Sequence, residues 1–159
     1  SRLARIAHDL PSAHHYAIRS LRLFHTSTDR PGFACALHEL GAQARLAGRD
    51  QAALAYLRVA LRMRAHISDI QAEIDSIEEI ALIAESRQLA ESATNLLAFC
   101  GAWRDRHTAP AHPLITTTLF ESANQARDRL PDDRRSAAES AGRTLTLREA
   151  VVVAQSLVI

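Results

Sequence analysis

The chain of 159 residues contains no lysine; all 19 of its basic residues are arginine. Aromatic residues make up only 4%, glycine and proline number five each, and there are two cysteines and one methionine. Each shortage excludes something. A β-sandwich or barrel needs aromatic and β-branched strands broken by many turn residues, so an all-β fold is out. Cys35 and Cys100 cannot form a disulfide framework, which makes a reduced, cytoplasmic protein the expectation. The net charge of +1 lacks the basic excess of a protein that tracks phosphates, so direct nucleic-acid contact is not expected. Apolar stretches such as Ala150 to Ala154 fall far short of the roughly 18 residues a membrane span needs, and no charged leader followed by an apolar segment opens the chain. Without lysine, no Gly-x-x-x-x-Gly-Lys-Ser/Thr loop can exist, so these residues supply no nucleotide-binding loop. The chain opens on Ser1 and its single methionine is Met63; it is expected to be part of a longer polypeptide.

What is present favours helix. Alanine occurs 30 times, and with leucine, arginine and glutamine it belongs to the strongest helix formers, so the expected fold is all-α. The hydrophobic fraction of 47% suffices for a packed core. An internal repeat organises the chain. Ala4-Arg-Ile-Ala-His8 matches Ala44-Arg-Leu-Ala-Gly48 at an offset of 40 residues, and the same offset superposes Pro11 to Leu21 on Gln51 to Leu61 and on Glu91 to Gly101. Ala13, Ala53 and Ala93 then coincide, as do Ala17, Leu57 and Leu97, and Ser20, Ala60 and Cys100.

The clearest unit runs from Leu37 to Leu61. Leu37, Leu40, Gly41 and Ala44 share one face of a first helix; Ala53, Leu57, Ala60 and Leu61 share one face of a second. Gly48 suits the helix end between them and Asp50 an N-cap. A glycine inside a helix costs about 1 kcal/mol relative to alanine, so Gly41 is expected where the partner helix crosses very close. Helices are predicted over Gly32–Ala47, Asp50–Arg64, Asp69–Ser86 and Leu89–Arg104, with linkers near Thr26 to Gly32 and Ala65 to Asp69. Ile70, Ile74, Ile77, Ala81 and Ala84 read as a core-facing stripe; two heptads are too few for a coiled coil. Leu40-Gly41, Ala44, Ala53, Leu57 and Ala60, and a poorer copy at Ile80-Ala81, Ala84, Ala93, Leu97 and Cys100, fall where a tetratricopeptide repeat places its packing residues, and the pattern resembles that family. The resemblance implies an α-α superhelix of helix-turn-helix repeats over residues 1–106, the first repeat truncated, with capping helices over residues 107–159.

The closing segment reads as a Pro-bearing linker, Ala109 to Pro113, a helix from Ile115 to Leu130, and a short helix opened by Pro131 and stopped by Gly142. Thr146 and Glu149 form a capping box for a last helix, Leu147 to Val158. The tail Gly142-Arg143-Thr144-Leu145-Thr146-Leu147-Arg148-Glu149-Ala150-Val151, with Cys100 to Arg104 and the Pro-containing loop, resembles the C-terminal tetratricopeptide-like region of multidomain signalling ATPases and ATP-binding LuxR-type transcriptional regulators. Ala137 and Ala138 stand where that family carries aromatics, and Arg148 where an acidic residue is common. The resemblance implies a non-enzymatic interaction or sensor module at the end of a larger regulator, whose ATPase and DNA-binding parts lie elsewhere.

Candidate site residues come from the repeat register. A concave face made by first helices would take Cys35, His38, Ala42 and Arg45 from one repeat and Asp75, Glu78, Leu82 and Glu85 from the next, and would bind a protein or peptide partner or upstream domains of the same polypeptide. A partner presenting Lys or Arg toward the acidic end is expected. A free-standing adaptor binding a peptide in this groove is the alternative. The eight histidines show no His-x-x-x-His on one helix and there is no Cys-x-x-Cys, so neither a metal nor another cofactor is expected. No nucleophile–base or acid pair emerges, so no catalytic residue is named. Cys100 reads as a small core residue, and Leu96, Phe99 and Trp103 as a packing stripe. The acidic set Asp69, Glu73, Asp75, Glu78, Glu79 and Glu85 reads as a solvated face, and Arg127, Arg129, Arg134 and Arg135 as charge-balanced surface.

Overall fold

The computed structural model describes His15, Ile18, Arg19 and residues 29–159. The truncated first repeat, with Ala13, Ala17 and Ser20, and most of the Thr26 to Gly32 linker lie outside the described residues. Between residues 29 and 159 the chain forms seven helices and no strand: α1 (Arg30–Leu46), α2 (Asp50–His66), α3 (Ile70–Ser86), α4 (Ala90–His107), α5 (Pro113–Asp128), α6 (Asp132–Thr144) and α7 (Leu147–Ser156). The protein is all-α, and the four repeat helices fall within three residues of their predicted bounds.

The first four helices start at residues 30, 50, 70 and 90, so the 40-residue period resolves into a 20-residue one. Each helix of the series ends in the same turn. Gly48, Ser68, Gln88 and Thr108 take left-handed backbone, with φ of 69°, 57°, 60° and 49°. In each, the next N–H reaches back five residues: Arg49 to the Ala44 carbonyl (2.8 Å), Asp69 to Arg64 (3.1 Å), Leu89 to Ala84 (2.9 Å) and Ala109 to Arg104 (3.1 Å). This is the Schellman closure, which satisfies helix-end carbonyls at the cost of one left-handed residue. Glycine meets that cost freely only at Gly48; the other three turns carry side chains and about 1 kcal/mol or more of strain each.

Helix starts alternate. The Asp29 carboxylate accepts the Gly32 N–H (2.9 Å) and Asp69 that of Ala72 (3.2 Å), capping α1 and α3, whereas Arg49 and Leu89 precede α2 and α4 without a side-chain cap. Asp50 is therefore not the N-cap expected of it: it is the first helical residue of α2, and buried.

The chain divides into two compact units, residues 1–76 and 77–159, the division falling within α3. In the first unit α1 packs against α2. His38 meets Arg64 and Gly41 meets Leu57 and Ala53, an order that makes the pair antiparallel. A Cβ on Gly41 would stand 2.5 Å from Leu57 Cγ, so the close crossing expected there is present. In the second unit α4 is central, touching α5, α6 and α7. Its apolar face buries Ala93, Leu96, Leu97, Phe99 and Cys100. Gly142 lies inside α6 rather than ending it: a Cβ there would collide with the Asn95 carbonyl and come within 2.9 Å of the Ala98 methyl, so the glycine marks a second close crossing. Pro131 is the N-cap of α6, not its first residue. The Thr146–Glu149 capping box closes the start of α7, the Glu149 N–H donating to the Thr146 hydroxyl and the Thr146 N–H to the carboxylate (3.3 and 2.8 Å). The Thr146 N–H, and after it the Thr146 hydroxyl, which donates to the same carboxylate oxygen (2.8 Å), hold the Glu149 carboxyl below the usual carboxylate range.

Candidate functional site

Arginine near the end of each second helix organises both units. In the first, Arg64 is buried on α2, and its Nη1 donates toward Ser76 Oγ (2.6 Å), the Ala72 carbonyl (2.7 Å) and His38 Nδ1 (3.0 Å). A guanidinium only donates, so His38 Nδ1 accepts. Burial lowers the Arg64 pKa; Cys35, then Asp75, Asp69 and Glu39, act in the opposite direction. In the second unit Arg104, on α4, occupies the same place 40 residues on. Its Nε and Nη2 donate to the two Glu78 oxygens (2.5 and 2.7 Å), and Nη1 reaches the carbonyls of Ala109 (3.3 Å) and Pro110 (3.0 Å). Both partners of this bidentate pair are buried. His38 and Glu78 stand at equivalent repeat positions, each 26 residues before its arginine.

The acidic face expected to be solvated is largely not. Glu73, Glu78, Glu79 and Glu85 are buried, and only Asp69 of the six is exposed, with Asp75 half-buried. Glu78 belongs to Arg104, and Glu85 accepts from Arg129 (2.5 Å). The C-terminal arginines stand largely at the surface, as expected, and are paired there: Arg129 reaches α3, Arg134 pairs with Glu91 on α4, and Arg127 pairs with Glu139 across α5 and α6 (2.6 Å). The buried Arg104–Glu78 pair is the main one that sequence reasoning misses, because carboxylates and guanidiniums are rarely buried and default to the surface. The signal that could have found the main one is the pair Arg64 and Arg104, spaced by the repeat period.

The eight residues expected on the partner-binding face are divided between the units, five in the first and three in the second. Cys35 is exposed, Arg45 and Asp75 are half-exposed, and His38, Ala42, Glu78, Leu82 and Glu85 are buried. Of the predicted packing stripe, Leu96 and Phe99 are fully buried, whereas Trp103 is half-exposed and stacks on His107 with ring centroids 4.3 Å apart.

Sequence reasoning did not find a groove of about 720 Å³ that runs along α4 and α5 in the second unit. The Arg104–Glu78 pair lies at one wall; Leu97, Leu119, Phe120 and Ala123 make it apolar, and Phe120 is 69% exposed. Its cause is local. Pro110 and Pro113 disfavour helix in the residues before them, so residues 109–112 run as a non-helical loop and α5 begins at Pro113, later than the 20-residue rhythm requires. Arg104 therefore meets loop carbonyls where Arg64 meets a helix, and the groove lies along α4 and α5. Among the described residues no group of three His, Cys, Asp or Glu side chains could hold a metal ion, and no helix is long and apolar enough to cross a membrane.

Compared with protein-family models, curated proteins and solved structures, the chain matches none.

Proposed function

We infer that the chain is a non-enzymatic helical-repeat interaction module of tetratricopeptide type, the C-terminal part of a larger cytoplasmic ATP-binding transcriptional or signalling regulator. The observation that supports this reading is the 20-residue recurrence of helix, left-handed turn and, at alternate ends, buried arginine. A repeat of this kind builds surface for another chain: each unit packs on its neighbours, and the faces left over are broad and shallow. Binding a segment of a partner, or of the same polypeptide, would stabilise one arrangement of the helices and so bias the domains attached to them. The larger context rests on the resemblance of the tail from Gly142 to Val151.

The reading frame upstream of Ser1 tests the context. A Gly-rich nucleotide-binding loop in the same frame is expected; a start codon close before Ser1 would leave a free-standing adaptor instead. The purified chain tests the class: it should bind peptide without turning over ester, amide or phosphate substrates, and hydrolysis that tracks the folded protein through purification would overturn the reading.

A further inference from the structure

Gly41, Gly101 and Gly142 lie inside helices beyond the first turn. Glycine weakens a helix relative to alanine, so each position needs a reason. At Gly41 and Gly142 a neighbouring helix fills the room a Cβ would take. Gly101 is exposed, and among the described residues nothing beyond its own helix backbone and chain neighbours comes within 4 Å of where its Cβ would stand. It lies on the wall of the groove between α4 and α5.

That groove has the form of a helix seat. Thr116, Leu119, Phe120 and Ala123 line it at steps of three, one and three on α5, and Leu97, Gly101 and Arg104 at steps of four and three on α4, with Thr108 at its C-cap. These are the spacings by which one helix packs on another. Leu97 to Thr108 spans about 16 Å at the helical rise, or three turns. Its charge is also one-sided. Glu78 is occupied by Arg104 on both oxygens, whereas Asp105 lines the groove exposed and none of the ion-paired arginines of this unit reaches it.

We propose that this groove docks an amphipathic α-helix of about three turns from a partner protein, with a small residue crossing at Gly101, apolar side chains against Leu119 and Phe120, and a Lys or Arg over Asp105. The assignment rests on the interaction-module reading and names the chemistry of its partner. Helix-in-groove recognition takes this form: a stripe of anchors gives affinity, and a flanking charge fixes direction.

The test uses the whole chain and labelled, end-blocked helical peptides about four turns long, with Leu and Ala on one stripe and either Arg or Glu beside it, monitored by fluorescence anisotropy. The Arg peptide should bind, more weakly as salt rises, and the Glu peptide about tenfold or more weaker. Gly101→Leu meets open space in the free chain; it should leave the melting temperature unlowered yet weaken binding about tenfold or more, and Phe120→Ser should do the same. Equal affinity of Gly101→Leu and the parent overturns the proposal. So does displacement of both peptides alike by benzyltrimethylammonium, which would make this a small-cation site, or a dimer in sedimentation that Phe120→Ser abolishes, which would seat a second copy. Binding that survives both groove variants but falls with Arg45→Glu and Asp75→Arg overturns the groove while the module reading stands; a chain that binds no peptide overturns both.

Discussion

The two buried arginines share a register and differ in what completes them. Arg64 meets a neutral imidazole, a hydroxyl and a backbone carbonyl, and acidic groups around it favour its charge without any of them being among the acceptors of its Nη1. Arg104 meets a carboxylate head-on. The difference begins in the next helix. Two residues after the turn at Ser68, α3 has begun, and its Ala72 and Ser76 reach Arg64. After the equivalent turn at Thr108, two prolines postpone α5, and loop carbonyls stand in for the helix. One local choice of residue thus closes one junction and leaves a groove at the other. The repeat keeps its left-handed turn at both junctions, while its buried polar contacts change with the segment next in the chain.

The sharpest way to break the comparison is to remove each arginine. Arg104→Met strands a buried Glu78 carboxylate and should cost about 3–5 kcal/mol of unfolding free energy, since an uncompensated buried charge is the expensive outcome. Arg64→Met strands only neutral acceptors and should cost about 1–3 kcal/mol. Urea titration of both variants measures the difference. If Arg64→Met proves the costlier, the carboxylate is not what sets the two junctions apart. Pairing Arg104→Met with Glu78→Leu should recover much of the loss, because an apolar pair of similar volume needs no desolvated charge.

The glycines give the next largest effects, and of opposite sign. Gly142→Leu would drive a side chain into the α4 backbone at Asn95 and should lower stability by about 1–3 kcal/mol or more. Gly101→Ala should raise it by about 0.5–1 kcal/mol, because the site is open and alanine is the better helix former. Thermal melts of the two single variants decide it. A destabilising Gly101→Ala would mean that α4 already has a neighbour there.

These glycines also show how far the sequence can be read. Gly41 is legible as a close crossing because Leu37, Leu40 and Ala44 frame it with one helical period. Gly142 reads as a helix stop for want of such a frame: α6 has a strongly polar composition, with only Ala138 and Gly142 buried. The repeat helices are legible because apolar spacing and period agree. The 20-residue rhythm is not, because three of its four turns carry Ser68, Gln88 and Thr108, none of which announces a left-handed backbone as glycine does. The groove is invisible for a different reason. Pro110 and Pro113 mark a linker, but the gap it leaves depends on where α5 then packs, and no periodicity carries that distance.

The smallest expected effect sharpens the first junction. Glu73 is buried one helical turn after Asp69, near the start of α3. Burial, and secondarily the Asp69 charge, push its carboxyl above the usual carboxylate range. Folding therefore favours protonated Glu73. The cost of holding it ionised is full at neutral pH and is relieved as pH falls through its raised range toward that of an unfolded glutamate. Glu73→Gln removes the cost at neutral pH without changing the shape of the side chain, so the variant should melt higher than the parent at about pH 7 and by a smaller margin at about pH 5. A margin that stays constant between the two would assign the gain to something other than the carboxylate's charge. A margin that narrows would show that Glu73 is held there by the packing of α3 against its own desolvation, unlike Asp69, whose carboxylate is bound to the Ala72 N–H at the solvent-exposed helix start.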